Sequence, residues 1–181
     1  MSLLAPLDRA TITDSQIAAS LDGVQRQLGV LPNMFRVFAH SPVALNAYLQ
    51  LSGVAAKGRL SAQQREQIAL AVAQANDCGY CNAAHAAIGG MVGLVPAQIA
   101  AARRGEAGDP RTAAALRLAQ RIVATRGHVP LAELDVFKAE GLDEATILEV
   151  LVNVVLNIYT NYTNHLARTP IDFPQDDRAV A

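Results

Sequence analysis

The chain has two cysteines, Cys78 and Cys81, three positions apart, and His85 follows four residues later. Three residues is just under one helical turn. On a helix starting near Cys78 both sulfurs therefore lie on one face, close enough to form a disulfide. The N–H groups of a first turn and the positive end of its dipole favour a thiolate there. Such a setting lowers a cysteine pKa from ~8.5 into the range of roughly 3.5–7.5, and the thiolate is the form that attacks a peroxide or a disulfide sulfur. His85 falls on the same face, one turn beyond Cys81, placed to take the Cys81 proton directly or through a water. A base of this kind needs an orienting partner, usually a carboxylate. The candidate is Glu66, on the preceding helix beside the apolar Ile68, Leu70 and Val72.

The elements that must position these residues are helices. Apolar residues make up 51% of the 181 positions, but aromatics only 4%, with no Trp, so the core is built from Ala, Leu, Val and Ile. That composition favours packed helices, and no segment shows a sustained two-residue alternation. Caps and breakers mark the helices out. Thr13 with Gln16 reads as a capping box for a helix ending at Gly29. A turn at Val30–Asn33 precedes a short piece from Met34 to Ala39. Ser41-Pro42 opens a helix through Leu45 and Leu49. Ser61 caps one running to about Asn76. The helix from Cys78 carries His85 and is expected to loosen at Gly89-Gly90. Pro96 to Gly105, Asp109-Pro110 to about Arg126, and Pro130 to Glu140 follow. Asp143 caps the longest, from Glu144 to about Arg168. Short loops imply antiparallel helix hairpins in one all-α domain spanning 1–181, with a helical arm at 1–28 and an extended tail at 170–181.

The net charge of −1 provides no field for a polyanion or an anionic membrane. Arg103-Arg104 is most simply a helix C-terminus. Met1–Pro6 has no basic start, so no signal peptide is expected. The apolar stretch Ile147–Tyr159 is interrupted by Glu149, Asn153 and Asn157 and falls short of the ~20 residues of a membrane span. The expectation is a cytoplasmic protein with no nucleic-acid partner, no membrane partner and no cofactor. Two cysteines this close cannot staple a secreted fold, and in a reducing compartment the pattern points to redox or metal chemistry.

At this point the sequence resembles a known family. Glu66, eleven residues, then Cys78-x-x-Cys81-x-x-x-His85 is similar to the signature of the AhpD-like alkylhydroperoxidases, within the carboxymuconolactone decarboxylase superfamily. Gly29-Val30-Leu31-Pro32-Asn33-Met34 and Pro170-Ile171-Asp172-Phe173-Pro174 resemble its uncharacterised peroxidase-related branch. The resemblance implies an AhpD-like helical fold assembled as a homo-oligomer, a trimer or hexamer. It further implies that Glu66 orients His85 and that His85 deprotonates Cys81 through a water. Cys81 would attack the hydroperoxide, Cys78 would resolve the sulfenic acid to a disulfide, and a dithiol, thioredoxin or lipoyl-type reductant would restore the thiols. Tyr80 stands where better-studied members carry His, and decarboxylase members lack the Cys pair.

Other readings of the residues remain open. Cys78, as the thiol more exposed at the helix start, could instead attack disulfides, making the protein a dithiol-disulfide oxidoreductase that passes electrons to a partner. A third possibility is a non-enzymatic helical oligomer with inert thiols, or with zinc on Cys78, Cys81, His85 and a carboxylate; structural zinc usually draws on two separated pairs, and only one exists here. Glu66 could lie on a solvated face among Gln63, Gln64, Arg65 and Gln67. Asn153, Asn157, Asn161 and His165 recur every four residues on the last helix. They read either as a hydrogen-bonded ladder at a helix or subunit contact, or as a cavity lining with Asn161 and His165 facing the thiols alongside Tyr80.

Overall fold

The computed structural model describes residues 4–174. Residues 1–3 and the 175–181 part of the expected tail lie outside the described residues. Nine α-helices and one short 3-10 turn (Arg9–Thr11) occur among the described residues, with no strand, in agreement with the all-α reading. The helices are α1 (Ser15–Leu28), α2 (Asn33–Phe38), α3 (Pro42–Ala55), α4 (Ala62–Ala75), α5 (Gly79–Met91), α6 (Pro96–Arg103), α7 (Pro110–Thr125), α8 (Leu131–Ala139) and α9 (Glu144–Ala167).

Local chemistry explains most helix starts. Ser41, Ser61, Asp109 and Asp143 each accept an N–H of the first turn, and Gln64 completes a capping box with Ser61. Two local expectations are corrected. The cap of α1 is Asp14, not Thr13; its carboxylate accepts from the N–H groups of both Gln16 and Ile17. The helix also does not loosen at Gly89-Gly90, since α5 runs through both to Met91. Gly89 lets Leu94 fold back against it: a Cβ there would meet Leu94 at 3.1 Å, and the Leu94 N–H donates to the Gly89 carbonyl. Two glycines cost a helix about 1 kcal/mol each relative to Ala, which this packing offsets.

Helix α4 is the centre of the molecule. Every residue from Gln67 to Ala73 is buried, so the helix is covered on all sides, and it packs against α5, α6, α7 and α9. With α7, α8 and α9 it encloses an aliphatic core of Ile68, Leu70, Val72, Leu116, Leu118, Val150 and Val154. A second cluster gathers α1, α2, α3 and the start of α5. In it α1, within the expected helical arm, is docked by the burial of Ile17, Leu21 and Val24. No helix among the described residues is long and apolar enough to cross a membrane.

Candidate active site

The α4–α5 connection is only three residues long, Asn76 to Cys78. Asn76 ends α4, Asp77 takes a left-handed conformation (φ 53°), and the Cys78 N–H donates to the Ala73 carbonyl at 2.8 Å. Cys78 is then itself the N-cap of α5: its sulfur accepts from the Cys81 N–H at 3.4 Å. The hairpin sets α5 alongside α4 so that the His85 ring and the Glu66 carboxylate meet, with Nδ1 to Oε2 at 2.7 Å and both side chains largely withdrawn from solvent. Glu66 is thus not on a solvated face.

Both cysteines are free thiols and both are buried. This corrects the expectation that Cys78 is the more exposed. Cys78 is 1% and Cys81 2% exposed, both packed into the second cluster, and of the two only Cys81 lines the cavity. The two sulfurs have opposite electrostatics. Cys81 is lowered to about 6, most strongly by the Cys78 thiol donating to it; burial opposes this, and the His85 charge and the Asn164 and Asn161 side chains reinforce it. Cys78 is pushed well up, chiefly because its proton is held by that same hydrogen bond and then by burial. The first-turn N–H expected to favour a thiolate therefore serves Cys78, while the anion resides on Cys81. For His85, burial works against the imidazolium. The charge and hydrogen bond of Glu66, followed by the influence of Cys81 and Asn157, outweigh it and hold the pKa above its ordinary value.

The cavity has a volume of about 420 Å³ and is lined by residues of α1 to α5, α9 and the tail. Its polar side chains include Glu66, His85, Asn153, Asn157 and Thr160, beside Cys81, with Gln27, Ser52 and Arg65 also on its wall. The chain has only four Phe and four Tyr, yet Phe35, Tyr48, Tyr80 and Phe173 all line this space, with Phe38 stacked on Tyr48 and Tyr159 tilted against Phe38. The Tyr48 hydroxyl keeps its proton, its pKa pushed to about 12 by loss of solvent and by the Glu66 charge.

Tyr80 forms a clasp. Its hydroxyl accepts from the Met34 N–H at 3.1 Å and donates to the Asp172 carboxylate at 2.8 Å. The other Asp172 oxygen accepts from the Asn33 N–H at 2.7 Å. Pro32 cannot cap α2 with a side chain, so two of that helix's orphan N–H groups are satisfied by residues distant in sequence. The clasp sets Phe173 edge-on against Tyr80, closing one wall of the cavity.

The last helix resolves the asparagine stripe. Asn153 and Asn157 donate to carbonyls four residues back and line the cavity. Asn161 is fully buried, and its side chain helps to hold the Cys81 pKa down. His165 is the departure: it is exposed and stacked on Tyr162, away from the thiols. Three steps of four residues turn a helix about 120° past the starting face, whereas eleven residues turn it only about 20° past. The residue that continues the stripe is therefore Asn164, whose Nδ2 donates to the Cys81 sulfur at 3.3 Å. Helical arithmetic on the sequence would have selected Asn164. Tyr48 carries no such signal, and the pairing of Asp172 with Tyr80 spans 92 residues. No group of three or more His, Cys, Asp or Glu side chains converges as a metal site among the described residues.

Comparison with known proteins follows the same lines. Residues 42–121, from the start of α3 into α7 and including Glu66, Cys78, Cys81 and His85, match the model of the Carboxymuconolactone decarboxylase family. No curated protein matches the sequence. Among solved structures the chain is similar to an uncharacterized peroxidase-related protein from Silicibacter sp. TM1040, with a TM-score of 0.81 and 22% identity over 98% of this chain and 95% of that one. It is similar to an uncharacterized peroxidase-related protein from Ralstonia eutropha JMP134, described as an alkylhydroperoxidase AhpD core, with a TM-score of 0.79 and 23% identity over 99% and 97%. It is also similar to the debrominase Bmp8 in complex with 2,3,4-tribromopyrrole, with a TM-score of 0.75 and 19% identity over 95% and 92%. At these identities the likeness is one of fold.

Proposed function

We propose that the protein is a thiol-dependent peroxidase cycling through Cys78 and Cys81, a reading supported by the match of residues 42–121 to the carboxymuconolactone decarboxylase family model and by the AhpD-like all-α fold. The observation that carries the reading is the asymmetry of the two sulfurs: the low-pKa Cys81 opens to the cavity beside a carboxylate-held histidine, and the protonated Cys78 stands behind it.

In this reading the Cys81 thiolate attacks one oxygen of a hydroperoxide. An S–O bond forms, the O–O bond breaks, and the electron pair leaves on the alkoxide. The proton that completes the alcohol comes from the His85 imidazolium, which had received it from Cys81 through a water. Glu66 holds Nδ1 and so leaves the other ring nitrogen for this transfer. Cys81, oxidised by two electrons, is a sulfenic acid. Cys78 attacks it, the S–S bond forms, and hydroxide departs with a proton as water. A small dithiol, or a thioredoxin or lipoyl-type donor, returns two electrons. The burial of Cys78 weighs against its being the attacking thiol of a disulfide exchanger.

The test is consumption of cumene hydroperoxide with dithiothreitol as reductant. Turnover is expected in the parent and lost in Cys81→Ser. Cys81→Ser and His85→Ala proteins that turn over as fast as the parent would remove the mechanism. A second reading is favoured by the aromatic lining and the likeness to a debrominase: an aryl bromide and two thiols would give the reduced arene, a disulfide, bromide and a proton. Bromide release from a bromopyrrole without any hydroperoxide turnover would select it.

Exposed Leu148, Val155, Tyr162 and Leu166 on α9 support self-association. A trimer or hexamer is expected in light scattering.

A further inference from the structure

We infer that Asn161 and Asn164 form an anion-holding pair for the reacting sulfur: two side-chain amides of α9 that grip Cys81 as a thiolate from its buried side, leaving its cavity side open to the substrate.

Three observations carry this. Asn164, 4% exposed, donates Nδ2 directly to the Cys81 sulfur at 3.3 Å. Asn161, 0% exposed, has its Oδ1 occupied by the Asn76 amide at 2.9 Å, which fixes the amide so that Nδ2 is the free end. That Nδ2 has no partner among the described residues. A buried amide N–H without an acceptor is costly, and a negative sulfur alongside relieves the cost. Neither residue lines the cavity, whereas Asn157 and Thr160 on the same helix do. α9 thus offers one set of polar groups to the substrate and another to the back of the sulfur.

The choice of amides has a chemical consequence. A Lys or Arg in this place would lower the thiol pKa further, and thiolate nucleophilicity falls as pKa falls. Neutral donors hold the anion without adding a fixed charge to that of His85. The ionisable groups that act on Cys81 come from elements other than α9: Cys78, Tyr80 and His85 from α5 and its cap and Tyr48 from α3, with Glu66 of α4 paired to His85. α9 contributes only amides here, so substituting them alters the surroundings of the sulfur without removing a titrating group.

The inference rests on Cys81 being the reactive thiol, and its test does not require peroxidase turnover. Reduced protein is alkylated with iodoacetamide across the range from acid to alkaline pH, and modification of Cys81 is followed by peptide mass spectrometry. In the parent, the rate is expected to be half-maximal near pH 6, where the neighbouring Cys78 thiol and the His85 charge place the Cys81 pKa. In Asn164→Leu and Asn161→Leu the profile is expected to move up by about one pH unit, so that the rate at about pH 6 falls roughly five- to tenfold while the alkaline plateau is unchanged. Should either leucine variant fail to fold, Asn164→Ala and Asn161→Ala take its place, with the same upward shift expected. Folded variants that keep the parent profile, or that lose rate equally at every pH, overturn the inference. A shifted profile in a protein that never turns over hydroperoxide sustains the inference and removes the peroxidase reading instead.

Discussion

The molecule has two interiors built on different terms. The one formed by α4, α7, α8 and α9 is aliphatic, with Phe137 as its one aromatic residue. The one formed by α1, α2, α3 and the start of α5 collects Phe35, Phe38, Tyr80 and both thiols, and it borders the cavity. The first is a closed support; the second stays open and holds polar groups at its edge. Helices α4 and α9 belong to both. α4 gives Leu70 to one and Glu66 to the other, and α9 gives Val150 and Val154 to one and its asparagines to the other. The contrast teaches how a chain so poor in aromatics and charge builds a reactive site: a rigid aliphatic wall carries polar side chains on its far face.

Substitutions should separate the two regions. The largest effect is expected at the base. His85→Ala should lower kcat/KM for cumene hydroperoxide by about 10²–10⁴-fold with little change in melting temperature, and steady-state kinetics beside thermal unfolding checks both. Next in size is the support. Leu118→Ala should cost about 2–5 kcal/mol in urea unfolding yet leave Cys81 alkylation per folded molecule unchanged; a loss of alkylation would show that the two interiors are not separable. The pH response comes third. Because the Cys81 pKa is lowered to about 6, alkylation should rise with pH through that value and then level off, falling about tenfold per unit on the acid side. An inflection at the ordinary thiol value would break the account of the sulfur. The smallest effect is at the clasp. Tyr80→Phe removes the bonds to Asp172 and Met34 and should cost about 1–3 kcal/mol, with KM for a bulky hydroperoxide changing more than KM for hydrogen peroxide as Phe173 loses its support.

Much of this was legible in the sequence, because helix starts are local chemistry. Ser41-Pro42, Ser61, Asp109-Pro110 and Asp143 announce their helices within four residues, and the Glu66, Cys78, Cys81 and His85 spacing needs only a hairpin to become a cluster. What failed depends on packing. Thr13 and Asp14 are both good caps, and only tertiary placement selects Asp14. Gly89-Gly90 looks like a break until Leu94 folds onto it. The burial of Cys78 and the Asp172 clasp arise from chain segments far apart in sequence. His165 leaves the stripe by helix geometry: a strict four-residue step drifts off the helix face, and Asn164 holds the place.

The central claim, that Cys81 is the attacking thiol and Cys78 the resolving one, can be tested in a single labelling measurement. Reduced Cys78→Ser protein is given one equivalent of cumene hydroperoxide in the presence of dimedone, and the adduct is located by peptide mass spectrometry. A sulfenic acid trapped on Cys81, with one equivalent of alcohol released, is the predicted result. Hydroperoxide consumed with no adduct on Cys81, or consumed at the same rate after Cys81→Ser, would contradict it.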